Sequence, residues 1–152
     1  MKKKSYREEE HSKKTAKSSA DDRYNVFVSH ATYDKFLAKT LCDRIEVISP
    51  RLSTFRDDRD INGGDRIPLA IASAIRACNE LVVIITPESA SREWIITEIA
   101  MAFVLDKRII PILYHVDSSK IPQIIRDFRG YQLDQLDEYL ENLLARIVEE
   151  RA

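Results

Sequence analysis

One glutamate lies inside a segment whose neighbouring residues are mostly apolar. The segment reads SREWIITEIA, and Glu98 follows Trp94, the single tryptophan of the chain, by four positions. Residues at this spacing lie on one face of a helix, so the carboxylate and the indole are predicted to be neighbours. An ionised carboxylate is costly to bury unless it is paired. Glu98 is therefore either a surface glutamate at the border of the core or a residue kept there for chemistry.

The elements around Glu98 alternate between strand and helix patterns. Short apolar runs rich in branched residues predict four buried strands, which read YNVFVS, LSTF, LVVIIT and RIIPILY. The stretch GYQL predicts a short fifth strand. Strands that alternate with helices indicate an α/β fold, with an open parallel sheet and helices on both faces.

Apolar stripes at helical spacing predict the helices between and after these strands. The stripes are Phe36, Leu37, Leu41, Ile45 and Ile48; Ile67, Ala70, Ile71, Ala74, Ile75 and Cys78; and Leu136, Leu140, Leu143, Leu144, Ile147 and Val148. A further short helix is predicted from Ile121, Ile124, Ile125 and Phe128. The helix that carries Glu98 is expected to begin with Ser89 or Ser91 as its N-cap, because serine side chains satisfy the first free backbone N–H groups.

The composition is that of an ordinary globular protein with one domain. The chain has 152 residues, 44% of them hydrophobic and 32% charged, and a net charge of -1. That charge gives no general attraction to nucleic acid or to an anionic membrane, and we expect neither as a partner. No apolar run approaches the length of a membrane span.

The first 22 residues differ from the rest of the chain. They are rich in Lys, Glu and Ser and have almost nothing to bury, so residues 1–22 are predicted to be a disordered basic and polar tail, and residues 23–152 the domain. The basic start is not followed by an apolar segment, which argues against a secretory signal. Cys42 and Cys78 lie far apart in helical patterns and are predicted to be buried free thiols of a reducing compartment. These features favour a cytoplasmic location.

Open parallel sheets bind ligands beyond the carboxyl ends of their strands, where the strand order reverses. This rule selects three segments: Ser29 and His30 after the first strand, residues 56–64 after the second, and residues 87–91 after the third. Together with the tryptophan, the candidate substrate-binding residues are Ser29, His30, Asp57, Gly64 and Trp94. His30 is expected to line the pocket and not to act as a base.

Several chemistries common on such sheets do not fit the sequence. There is no G-x-x-x-x-G-K-[ST] phosphate loop, and no G-x-G-x-x-G follows the first strand. A phosphate-accepting receiver would end its third strand with an aspartate, where this chain has Thr86 and Pro87. The three histidines are scattered, so no metal site is predicted.

The sequence motifs resemble those of the Toll/interleukin-1 receptor (TIR) domain family over about residues 24–133. YNVFVSH, TFRDDRDINGGDRI, LVVIITPESASREWIITEIAMA and RIIPILY follow in the family's order. The S-x-x-W-x-x-x-E pattern at Ser91, Trp94 and Glu98 is the most specific of them. The family's R-D-x-x-P-G loop corresponds to Arg59, Asp60, Ile61, Asn62, Gly63 and Gly64, with Gly63 where proline is usual.

This resemblance implies a flavodoxin-like sheet of five parallel strands and one of two functions. Members that cleave NAD+ at the nicotinamide–ribose bond use the glutamate of the S-x-x-W-x-x-x-E pattern, here Glu98. Other members are adaptors that self-associate and recruit partners. The resemblance also implies that the loop of residues 59–64 inserts into a neighbouring TIR domain and helps to complete the NAD+ pocket.

The presence of Glu98 favours the enzyme, which would need NAD+ as substrate and no cofactor. Hydrolysis would give nicotinamide and ADP-ribose, whereas attack from within the same molecule would give a cyclic product, and the sequence leaves both open. The expected setting is defence or cell-death signalling, with a separate effector that senses the nucleotide product as a further partner. The alternatives are a non-catalytic TIR interaction module and a sensor that binds a nucleotide without turnover.

Overall fold

Five parallel strands form a single sheet in the order β2-β1-β3-β4-β5. The computed structural model describes residues 22–56, 63–64 and 66–151. The strands are β1 (Tyr24–Ser29), β2 (Leu52–Phe55), β3 (Glu80–Ile85), β4 (Arg108–Leu113) and β5 (Tyr131–Gln132). All five predicted strands are confirmed to within a residue or two at each end, and the fold is the flavodoxin-like α/β type.

Helices cover both faces of the sheet, as predicted. They are α1 (Lys35–Ile48), α2 (Ile67–Ala77), α3 (Glu93–Val104) and α4 (Leu136–Glu149). Because successive strand residues point to opposite faces, β1 contributes to two cores. Val26 and Val28 belong to the core under α1 and α4, whereas Phe27 belongs to the core under α2 and α3. Cys42 and Cys78 are both buried and free, as predicted for the state of the thiols.

Some residues at the ends of the predicted apolar helix stripes are exposed and do not belong to the core. Phe36 is 78% exposed and Ile67 is 55% exposed, and both lie in the first turn of their helices. The buried stripe of α1 begins at Ala38. Phe36 precedes it by two residues, about 200° around the helix, so its side chain points away from the sheet. Leu144 and Val148, at the edge of the α4 stripe, are exposed as well.

The short helix predicted around residues 121–128 is wrong. The segment contains a single 3₁₀ turn, Gln123–Ile125, and another such turn, Ser118–Lys120, lies just before the segment. Pro122 separates them, because a proline disfavours helical geometry at the residue before it. Ile125 is nevertheless buried against the core under α3.

The last strand covers only part of its neighbour. β5 pairs with β4 at Ile112 and Leu113, the last two residues of β4. Gly130, just before β5, lies so close to β4 that a Cβ atom there would be 2.7 Å from the carbonyl oxygen of Pro111. This close approach explains a glycine at position 130.

Of the predicted tail, residues 1–21 lie outside the described residues. Asp22 is described, and its carboxylate forms ion pairs with Arg51 at 3.7 Å and with Arg151 at 3.4 Å. Within the described part of the chain, no helix is long and apolar enough to cross a membrane.

Candidate active site

Glu98 lies in the second turn of α3 with its side chain turned into the protein. It is 2% exposed, and the hydroxyl of Ser29 donates a hydrogen bond to Glu98 Oε2. Ser29 is the last residue of β1 and is itself buried. Because β2 lies on one side of β1 and β3 on the other, the carboxyl ends of β1 and β3 form the point where the strand order reverses. The two residues therefore meet at the edge of the sheet where a ligand site is expected.

An open cleft of about 200 Å³ lies in the same part of the molecule. It is lined by His30, Ala31, Thr32, Tyr33, Arg92, Trp94 and Ile95. Trp94 and Ile95 belong to the turn of α3 that precedes Glu98. His30 is mostly buried, with Nδ1 at 3.3 Å from the carbonyl oxygen of Val28. Trp94 and His30 therefore form part of the cleft wall, and the Glu98 carboxylate lies one helical turn beyond Trp94.

One hydrogen bond ties the loop after β1 to the loop after β3, and two others hold the loop after β3 in its turn. Thr86 Oγ1 donates a hydrogen bond of 2.7 Å to Asp34, and both residues are buried. The hydroxyl of Ser89 donates to the carbonyl oxygen of Ile84 at 2.9 Å and accepts from the backbone N–H of Thr86 at 2.8 Å. These bonds hold the loops after β1 and β3 in place beside the cleft, because a network of buried, fully hydrogen-bonded polar groups is rigid.

The predicted N-cap of α3 is therefore wrong. Arg92 occupies the N-cap position, and its side chain makes no capping hydrogen bond. Ser89 is engaged in the turn after β3, and Ser91 precedes the cap by one residue. Ser89 shapes the turn after β3, and the helix begins later than predicted.

Arg92 is a cleft residue that sequence reasoning did not select. Its Nε–H donates to the carbonyl oxygen of Glu88 at 3.1 Å, and its guanidinium lies 5.8 Å from the centre of the Tyr33 ring. The signal available in the sequence was its place two residues before Trp94 in the SREW segment. Tyr33 gave no signal, because nothing in the sequence tells which side of the loop after β1 faces α3.

The structure brings four of the predicted site residues together: Ser29, His30, Trp94 and Glu98. Gly64 is described but is not among the residues that line the cleft. It forms a turn with Gly63 and has a φ of 92°, the conformation that glycine adopts most readily. The predictions for Asp57 and for Arg59, Asp60, Ile61 and Asn62 lie outside the described residues.

The arrangement supplies one buried carboxylate, an aromatic wall and a cation beside the same cleft. Across the described ranges, no group of three or more His, Cys, Asp or Glu side chains is placed to hold a metal ion. The volume of the cleft is below the roughly 300–1,000 Å³ typical of pockets that enclose a small ligand. One chain, as described, therefore has room to enclose only part of a molecule as large as a dinucleotide.

The chain is similar to several proteins of one family. The sequence model described as "TIR domain" matches residues 26–148. A "Probable 2' cyclic ADP-D-ribose synthase BdTIR" from Brachypodium distachyon is 33% identical over 128 residues, which are 82% of this chain and 56% of that protein. The chain thus spans about half the length of this relative.

Solved structures share the fold. The TIR domain of the Toll-related receptor TRR-2 from Hydra magnipapillata is 23% identical with a TM-score of 0.68, over 82% of this chain and 98% of that one. The TIR domains of the activated Roq1 resistosome, which directly recognises the pathogen effector XopQ, are 17% identical with a TM-score of 0.64, over 82% and 99%. The family match covers the cleft and, apart from the first two residues of β1 and the last residue of α4, all the strands and helices given above. The chain belongs to the TIR domain family.

Proposed function

We propose that this TIR domain cleaves NAD+ at the bond between nicotinamide and ribose, with Glu98 as the catalytic residue. The observation that carries the proposal is the buried carboxylate of Glu98, hydrogen-bonded to Ser29 and one turn from the cleft residue Trp94. The similarity to a probable cyclic ADP-D-ribose synthase supports the same chemistry. Glu98 is thus the residue to test first.

A single carboxylate is sufficient for this reaction. Glycosidases use two, one to protonate the leaving group and one to attack or stabilise the sugar cation. The nicotinamide of NAD+ is already cationic and leaves as a neutral molecule when it takes the electrons of the glycosidic bond. No general acid is needed, and one anionic group can stabilise the positive charge that develops at the ribose.

The neighbours of Glu98 have separate roles in this proposal. The half-exposed indole of Trp94 forms a wall for the nicotinamide riboside and excludes water from one side. The Ser29 hydroxyl orients the carboxylate. Attack by water gives ADP-ribose, whereas attack by a nucleophile of the same molecule gives a cyclic ADP-ribose. We propose both as products, because the similarity to the Brachypodium protein favours the cyclic one and the cleft is open to solvent.

We also propose that a second copy of the chain completes the site. The cleft that the described residues line is small, and Glu98 is buried instead of lining it. Insertion of the loop of residues 59–64 from a neighbouring chain would enclose the rest of the substrate. Head-to-tail contacts of this kind build open filaments when the rotation between copies does not close a ring. A cytoplasmic location, a role in defence signalling and an effector that senses the product belong to the same proposal.

The test is incubation of concentrated protein with NAD+ and separation of the products by chromatography. The proposal predicts free nicotinamide in equal amount to ADP-ribose plus any cyclic product. Protein should be varied from nanomolar to high micromolar, with a crowding agent at the upper end. The absence of nicotinamide over that whole range would overturn the enzyme proposal.

One observation favours the second candidate, a non-catalytic interaction module. Large apolar side chains are exposed on the two helices that cover one face of the sheet, among them Phe36 and Val47 on α1 and Val148 on α4. Contiguous exposed apolar patches mark interaction sites, and a self-association surface on this face would be built from such side chains. A module of this type would self-associate without releasing nicotinamide, so the same incubation, followed by sedimentation, separates the two functions.

A further inference from the structure

The cleft beside Glu98 contains one permanently charged side chain among the described residues that line it. That side chain is Arg92, whereas His30 is the other ionisable cation in the lining. No carboxylate within the described ranges forms an ion pair with Arg92, although Glu88 and Glu93 lie close in sequence. The positive charge of Arg92 is therefore uncompensated in the part of the chain that the structure describes.

Two contacts hold the guanidinium of Arg92 while leaving its outer nitrogens available. Its Nε–H is used by the carbonyl oxygen of Glu88 at 3.1 Å. Its Cζ atom lies over the ring of Tyr33, 5.8 Å from the ring centre, in the range of a cation–π contact. Within the described residues, no acceptor is bonded to the two Nη groups. An arginine fixed in this way presents a ready fork of donors, and less side-chain entropy is lost when it binds an anion.

We propose that Arg92 binds the pyrophosphate of the dinucleotide substrate and makes the site selective for phosphate-bearing nicotinamide nucleosides. This inference rests on the proposed cleavage of NAD+. Trp94 is two residues from Arg92 and lines the same cleft, so a dinucleotide whose nicotinamide riboside lies against the indole has its phosphates within the cleft that Arg92 also lines. Guanidinium groups bind phosphate oxygens through two parallel, charge-assisted hydrogen bonds.

The experiment compares two substrates that differ in their phosphates. NAD+ carries the pyrophosphate, and nicotinamide riboside has the same scissile bond without any phosphate. The variants are Arg92→Gln, Arg92→Lys and, as a matched control, Arg108→Gln, because Arg108 is an exposed arginine at the opposite end of the sheet. Arg92 is exposed as well, so all three variants should fold, and a thermal melt checks this.

We expect Arg92→Gln to raise KM for NAD+ about 10- to 100-fold with little change in kcat, as for the loss of charge-assisted hydrogen bonds. The kcat/KM for nicotinamide riboside should change less than about twofold. The KM of Arg92→Lys for NAD+ should lie between those of the wild type and Arg92→Gln, because lysine keeps the positive charge and loses the paired donors of the guanidinium. An equal loss on both substrates, or no loss on NAD+, would overturn the assignment.

A binding measurement separates this inference from the proposed function. ADP-ribose keeps the pyrophosphate and lacks the scissile bond, so calorimetric titration with it reports on Arg92 without turnover. If the wild type releases no nicotinamide, the proposed function fails. Weaker ADP-ribose binding by Arg92→Gln than by Arg108→Gln would still support a phosphate site, and equal binding or no binding would reject it.

Discussion

Two glutamates are buried at opposite ends of the same sheet, and their surroundings differ. Glu80 is the first residue of β3 and is fully buried. Its carboxylate accepts hydrogen bonds from the hydroxyls of Tyr24 at 2.7 Å and Tyr139 at 2.6 Å, and it pairs with the guanidinium of Arg146 at 2.9 Å. Two tyrosine hydroxyls and one guanidinium, from β1 and α4, thus bind the carboxylate of Glu80, and the guanidinium neutralises its charge.

Glu98 lies at the other end of the sheet, beside a solvent-open cleft. One donor to its carboxylate is the hydroxyl of Ser29, a neutral group. A carboxylate ringed by tyrosines and an arginine is compensated and holds elements together. A carboxylate that lies beside a cleft can in addition direct its charge at a ligand. Burial therefore does not by itself identify a catalytic glutamate. The hydrogen-bond partners of the carboxylate and the presence of a cleft beside it distinguish a candidate catalytic residue from a structural one.

Replacing Glu98 by Gln should have the largest effect on the reaction. The change keeps volume and hydrogen bonding but removes the charge that, in the proposed mechanism, stabilises the ribose cation, so nicotinamide release should fall by about 10³-fold. Stability in urea should change by less than about 1 kcal/mol. Retention of most activity would show that the carboxylate is as structural as Glu80.

Replacing Glu80 by Gln should lower the stability of the fold and leave the activity of the folded protein nearly unchanged. Removing one partner of a buried ion pair leaves the charge of Arg146 uncompensated, so the free energy of unfolding should fall by about 3 kcal/mol. The rate per folded molecule should stay within about twofold. The double variant Glu80→Gln with Arg146→Met should recover part of the loss, and a double variant worse than the single one would contradict this account.

Alkaline pH should lower the free energy of unfolding through the groups that surround Glu80. Burial and the Glu80 charge raise the pKa values of Tyr24 and Tyr139, and burial raises the pKa of the Cys78 thiol from 9.0 to about 11. Above these groups' unfolded pKa values the unfolded chain releases protons that the folded chain retains, so stability falls as pH rises. The thiol alone accounts for a loss on the order of 2 kcal/mol between about pH 9 and 11.

Urea unfolding between about pH 8 and 11 measures this loss, with the tyrosines contributing above about pH 10. Tyr139→Phe should flatten the decline above that pH, since the substituted ring has no proton to lose. A free energy of unfolding that is constant over this whole range would mean that these groups titrate alike in both states.

A smaller effect is expected at the turn of Gly63 and Gly64. Leucine at position 64 would be forced to a positive φ, which strains an L residue, although no atom lies within 4 Å of the new Cβ. We expect a several-fold lower specific activity at high protein concentration without unfolding. Gly63→Ala is the matched control, because it adds a Cβ in open space without that strain. Activity per molecule that is independent of protein concentration would show that one chain has a complete site.

The smallest effect should follow deletion of residues 1–22. Among the described residues, the deletion removes the ion pairs of Asp22 with Arg51 and Arg151, and exposed pairs contribute about 0–1 kcal/mol. The melting temperature should therefore shift by a few degrees at most. A drop of more than about 10 °C would mean that the tail is a docked element.

The strands and Glu98 could be predicted from the sequence because both depend on local patterns. Continuous apolar runs mark buried parallel strands, and an i, i+4 pair marks one face of a helix. The Glu80 cluster could not be predicted, since its partners lie 56 to 66 positions away in sequence and meet only when α4 packs on the sheet. Arg92 was missed for the same reason: its contact with Tyr33 joins two loops that only the folded sheet brings together.

The short β5 has a consequence for how copies of this domain can add to one another. On the β5 side, no strand within the described residues pairs with the first four residues of β4, so part of the sheet edge is open. Open edges recruit strands from other chains and promote aggregation. Here Arg108 places an exposed charge on that edge, and Pro111 withholds a backbone donor. The edge is therefore a poor template for a continuous intermolecular sheet, which leaves loops and helix surfaces as the routes to ordered assembly.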